Sequence, residues 1–70
     1  MNLYFENSLG IKRIIGTPAD EKEAWKLIHN FCEERNFKIW YVREWVRNGF
    51  KVYDVGSHTE FFLLELKGEN

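Results

Sequence analysis

"FKIWYVREWVRNGFKVYDVG", Phe37 to Gly56, decides the fold. Asn48-Gly49 sits between two runs of β-branched and aromatic residues. A two-residue hairpin loop needs positive φ at both positions, and Asn-Gly supplies that at least cost. The loop length then sets the register. Arg47 faces Phe50, Trp45 faces Val52, Arg43 faces Asp54 and Tyr41 faces Gly56. Between them, Val46 faces Lys51, Glu44 faces Tyr53 and Val42 faces Val55. Opposite charges at Arg43 and Asp54 agree with that register, because such cross-strand pairs are favourable. Side chains alternate along a strand. Phe37, Ile39, Tyr41, Trp45 and Val52 are therefore expected on one face, and Trp40, Val42, Val46, Tyr53 and Val55 on the other.

Upstream, "TPADEKEAWKLIHNFCEERN" predicts a helix over 18–35. Thr17 is the expected cap, with Pro18 at the first helical position and Asp20 three residues after the cap. Asp20, Glu21 and Glu23 suit the positive end of the helix dipole, and Arg35 suits the other. Ala24, Trp25, Leu27, Ile28, Phe31 and Cys32 recur at helical spacing and form one apolar stripe. Asn36 can take the left-handed conformation that stops the helix.

The N-terminal residues read as a hairpin of strands over 2–6 and 11–16, with turn chemistry at Asn7, Ser8 and Gly10. "NLYFENS" at 2–8 is close to a protease-recognition tag but departs from it at Met1 and Glu6, and its rhythm suits a first strand. Thr59–Leu66 reads as a last strand, Phe62, Leu64 and Leu66 on one side and Phe61 and Leu63 on the other. The fold class is α+β in one domain over 1–70. An antiparallel sheet of four or five strands carries one helix packed on one face, in the order β-β-α-β-β-β, or β-α-β-β-β without the first strand.

One helix cannot cover two apolar sheet faces. The uncovered face is expected to expose large apolar groups, which monomers seldom tolerate, so a homodimer or a protein partner is expected. Aromatics make up 17% of the chain and serve cores and interfaces alike. The formal net charge of −1 gives no global field for nucleic acid or membrane. One cysteine permits no intrachain disulfide and suits a reducing compartment. With no basic-then-apolar leader and no apolar run of about 20 residues, a cytoplasmic protein off the membrane is expected.

Three chemistries compete for the polar and basic residues. "DVGSHTE", Asp54 to Glu60, offers Ser57 as nucleophile, His58 as base and an acid on either side. Adjacent Ser and His in a tight turn do not readily line up for catalysis, so a turn bonded to local backbone is expected, and no enzyme. His29, Cys32 and His58 are too few and too scattered for a structural metal, and no cofactor is expected. Lys38, Arg43, Arg47 and Lys51 are interleaved with Trp40, Tyr41, Trp45 and Phe50, the pattern of a platform for single-stranded nucleic acid. Nucleic-acid binding through the 38–51 hairpin is the alternative reading.

The segment from Glu21 to Glu65, and "DVGSHTEFF" at 54–62 within it, resembles short uncharacterised proteins encoded by bacteriophages and prophages of low-GC Gram-positive bacteria. The resemblance implies no known activity. It implies a host-cytoplasm setting in which small proteins act by binding others. The expected function is a non-enzymatic accessory protein that binds protein and self-associates. Its expected contacts are Trp40, Arg47, Lys51, Tyr53, His58 and Glu60, on the sheet face away from the helix and on the turn at 56–60.

Overall fold

The computed structural model describes residues 1–57 and 59–66. Five strands and one helix follow in the expected order: β1 (Leu3–Glu6), β2 (Lys12–Gly16), α1 (Glu21–Glu34), β3 (Arg43–Arg47), β4 (Phe50–Asp54) and β5 (Phe61–Glu65). The sheet is antiparallel throughout and its spatial order is β2-β1-β5-β4-β3. β5 therefore lies at the centre, between β1 and β4. The hairpin of β3 and β4 has β3 as an outer edge.

The β3–β4 register agrees with the sequence from Arg43↔Asp54 to Arg47↔Phe50. Asn48 and Gly49 have φ of 51° and 82°, as the loop demands. The ladder stops at Arg43, however, so Tyr41 and Val42 do not join it. Instead the Trp40 N–H donates to the Val55 carbonyl at 2.9 Å.

The helix begins three residues later than Thr17 and Pro18 suggest. Asp20 is the cap. It accepts from the Glu23 N–H at 2.9 Å, and the Glu23 carboxylate accepts from the Ala19 N–H at 2.9 Å. The sequence contains two overlapping capping patterns, Thr17 with Asp20 and Asp20 with Glu23. The second prevails because Glu23 can return a bond that the shorter Asp20 would have to make, while 17–19 carry the chain from β2 to the helix. At the other end, Asn36 has φ of 55° as expected. The Phe37 N–H reaches the Cys32 carbonyl at 2.7 Å and the Asn36 N–H reaches Glu33 at 3.3 Å, the paired bonds of a Schellman stop.

The core lies between helix and sheet. Ala24, Ile28, Phe31 and Cys32 of α1 meet Leu3, Tyr53, Val55, Phe62 and Leu64, all buried. Aromatic contacts tie the layers: Phe31 lies 4.7 Å from Phe5 and 5.5 Å from Phe62, and Trp25 lies edge-on to Tyr53 at 5.1 Å. Phe37 and Ile39 also pack here. They were expected on the face of Trp45 and Val52. The Schellman stop turns Phe37 back onto the helix end, so 37–39 follow the helix rather than the strand.

The far face closes on itself more than one helix would suggest. Val52 and Leu63 point away from α1, yet they are 1% and 2% exposed. Half-buried Tyr4, Phe50 and Phe61 and the more open Trp45 stand around them, with Tyr4 edge-on to Phe50 and Trp45 edge-on to Phe61, each pair at 6.1 Å. The expectation of a broad apolar face away from the helix is corrected accordingly. The exposed large apolar groups gather at the margins: Leu9, Ile11 and Ile14 at the β1–β2 hairpin, and Trp40, Tyr41, Val42, Trp45 and Val46 along β3 and its approach.

Candidate interaction surface

The approach to β3 is set by two backbone facts. The Schellman stop releases the chain from α1, and Gly56 gives Trp40 a place to lie. A Cβ at Gly56 would stand 2.6 Å from the Trp40 Cβ, and Gly56 has φ of +101°. Only glycine combines that conformation with that approach. Trp40 nevertheless keeps 67% of its surface exposed, and the Lys38 ammonium lies 4.2 Å from its ring centroid. The Arg43 guanidinium lies 5.8 Å from the Tyr41 ring and 5.9 Å from that of Trp45. The result is an exposed strip in which cations alternate with aromatic rings.

The cations differ in what else they hold. Arg43 donates to the Asp54 Oδ2 at 2.9 Å, and the Asp54 Oδ1 accepts from the Gly56 N–H at 2.9 Å. Lys51 turns to the helix side, where it reaches Glu21 at 2.6 Å and Glu44 at 3.1 Å. Those two carboxylates, Glu21 first, hold its ammonium well above the ordinary lysine range. Arg47 makes no ion pair among the described residues and ends β3 exposed.

The expected contact residues thus separate. Trp40 and Arg47 belong to the exposed strip. Lys51 is a staple between the N-terminus of α1 and the β3–β4 hairpin. Tyr53 is fully buried under Trp25, so its expected role as a surface anchor is corrected: it pairs with Glu44 on the helix side of β4. Burial pushes its phenol up to about 12. Glu60 is half-buried and accepts from the Ser57 hydroxyl at 2.8 Å, while its N–H donates to the Ser57 carbonyl at 3.1 Å. The turn is therefore closed by one side-chain and one backbone bond. His58 lies outside the described residues. Sequence reasoning placed Tyr41 and Trp45 only in the nucleic-acid alternative and missed Val42 and Val46, because alternation does not tell that β3 is an edge.

Cys32 is buried and desolvation raises the pKa of its thiol, and the exposed His29 ring lies tilted 5.5 Å from that of Trp25. Among the described residues no three His, Cys, Asp or Glu side chains stand where they could hold a metal. Nor, among them, is any helix long and apolar enough to cross a membrane. The main depressions are open ones flanking the helix, one of them lined by Lys22, Trp25, Lys26, His29 and Asn30.

No protein family, curated protein or solved structure matches this chain. The functional reading therefore rests on the strip.

Proposed function

We propose that this protein is a non-enzymatic binding module that engages protein through the open edge of β3 and the aromatic segment before it. Five large apolar side chains stand exposed, Trp45 and Val46 on the edge strand β3 and Trp40, Tyr41 and Val42 on the segment leading into it, and this observation carries the proposal. Surfaces of this kind match protein interfaces, where Trp, Tyr and Arg concentrate binding energy. Trp40 and Arg47 are the anchors, with Trp45 between them. The phage or prophage accessory setting rests on the resemblance at 54–62 alone.

Binding of single-stranded nucleic acid is the second reading, since aromatic rings beside Lys38 and Arg47 can stack bases. Charge favours the first. Of the four basic residues between 38 and 51, Arg43 is held by Asp54 and Lys51 by Glu21 and Glu44. Counterion release from phosphate needs cations that are free to bind it.

A photoreactive benzophenone amino acid in place of Tyr41 tests the reading in the host cell. Protein adducts that Trp40→Ala removes are the expected result. Adducts to nucleic acid alone, or no more adducts than from the same probe at Lys22, overturn it.

A further inference from the structure

We propose that Asn48-Gly49 is a self-modification site, at which ring closure and hydrolysis put an isoaspartyl linkage into the hairpin loop and release β3 from the sheet. The modification stands apart from the binding-module reading; that it switches off the strip rests on that reading.

The chemistry needs an asparagine amide and the backbone nitrogen of the next residue. That nitrogen gives up its proton to water or hydroxide and attacks the side-chain Cγ. A C–N bond forms, ammonia leaves and a cyclic imide remains. Water then adds to one of the two imide carbonyls and opens the ring, so the net change is one water in and one ammonia out. One opening gives an aspartyl residue. The other carries the main chain through Cβ and Cγ as isoaspartyl. Glycine in the second position favours closure, because no side chain shields its nitrogen and its backbone turns freely.

The structure selects Asn48 among the described asparagines. The Asn2 Nδ2 donates to the Glu65 Oε1 at 3.0 Å. The Asn7 Oδ1 accepts from the Leu9 and Ile11 N–H groups at 2.9 and 3.1 Å. Asn30 lies inside α1, where the next N–H belongs to the helix ladder. After Asn36, the Phe37 N–H is held by the Cys32 carbonyl at 2.7 Å. Asn48 and Gly49 are both exposed, and among the described residues neither the Asn48 amide nor the Gly49 N–H has a hydrogen bond. A Cβ at Gly49 would meet nothing within 4 Å, so water and base can reach the nitrogen.

The fold gates the reaction. The φ values of 51° and 82° are those of a type I′ turn. That turn holds the Gly49 nitrogen anti to the Asn48 Cβ, too far from Cγ to bond, so closure waits for the loop to open. The consequence is local. Isoaspartyl adds a methylene to a loop whose two left-handed residues set the β3–β4 register. The Gly49 carbonyl also loses its fixed place, where it accepts from the Leu66 N–H at 2.9 Å. Among the described residues β3 has β4 beside it and no strand on its other side. All five residues of β3 are exposed, so its release takes Trp45 and Val46 from the strip and leaves the core between helix and sheet in place.

Ageing the intact chain in warm, mildly alkaline buffer tests the proposal. Peptide mapping by mass spectrometry locates the modification, an isoaspartyl methyltransferase detects the linkage, and amide exchange follows β3. Position 48 is expected to react first, and at least about tenfold faster in guanidinium chloride than in native buffer. Aged chain is expected to lose protection in the β3–β4 ladder and keep it in α1. Asn48→Asp retains a favourable loop and is expected to stay protected, while Asn48→Gly is expected to resist ageing. Reaction that begins at another asparagine, an equal rate in denaturant, an isoaspartyl linkage that leaves β3 protected, or the same loss in fresh Asn48→Asp overturns the proposal. Aged chain carrying the Tyr41 photoprobe is then added to host extract. Protein adducts that vanish with β3 support the switching-off. Adducts that persist overturn it: the modification then stands, and β3 is no part of the binding surface.

Discussion

Arg43 and Asp54 are cross-strand partners whose side chains meet at 2.9 Å, yet the carboxylate is buried and the guanidinium is not: side-chain exposures are 4% and 67%. The two ends of this ion pair therefore play different parts. Asp54 also caps the turn by accepting from the Gly56 N–H, whereas solvent screens much of what Arg43 contributes. Asp54→Ala is expected to cost about 2 kcal/mol, since it leaves the half-buried Gly56 N–H without its acceptor and Arg43 without its partner. Arg43→Ala is expected to cost much less, because its guanidinium lies in solvent. Urea midpoints of the two variants check the asymmetry; equal losses would contradict it.

Tyr53 gives a prediction about pH. Its hydroxyl is buried and has no hydrogen-bond partner among the described residues. Tyr53→Phe is therefore expected to leave stability unchanged or raise it by up to about 1 kcal/mol. Desolvation puts its folded pKa at about 12, against 10 for a tyrosine in water. Between those values the unfolded chain loses a proton that the folded chain keeps, so stability is full below about pH 10 and falls as pH rises through that window. The loss is on the order of 2 kcal/mol. Lys51, also raised, adds a loss of the same sign in alkali. In an alkaline stability series, Tyr53→Phe should flatten the decline, and an unchanged slope would refute its origin in the phenol.

Gly49 and Gly56 separate strain from contact. Both have positive φ, +82° and +101°, but only at Gly56 does a Cβ meet Trp40. Gly49→Ala should cost about 1 kcal/mol and Gly56→Ala at least about 2 kcal/mol. Tryptophan emission should shift only in the second variant, because Trp40 must move to admit the methyl group.

The helix start is tested at its two rival caps. Asp20→Ala should lose about 1 kcal/mol, and Thr17→Ala close to nothing. Thermal melts of the two variants decide it; a larger loss at Thr17 would restore the earlier start.

The elements were legible because their causes are local. Asn48-Gly49 fixes the β3–β4 register through backbone conformation, Asn36 stops the helix for the same reason, and alternation sorted Phe62 and Leu64 from Phe61 and Leu63. The candidate strip was half legible. Trp40 and Arg47 stood out as an aromatic and a cation, but Tyr53 looked identical in kind and proved to be core.

What the tertiary structure alone decided follows from contacts distant in sequence. β1 pairs with β5 across nearly the whole chain, which places β5 at the centre and exposes β3 as an edge. No local pattern encodes such a pairing, since it depends on where the helix carries the chain. The same placement seals Val52 and Leu63 beneath neighbouring rings on the face away from α1. Sequence periodicity tells which side chains share a face; only the assembled sheet tells whether that face is open to water.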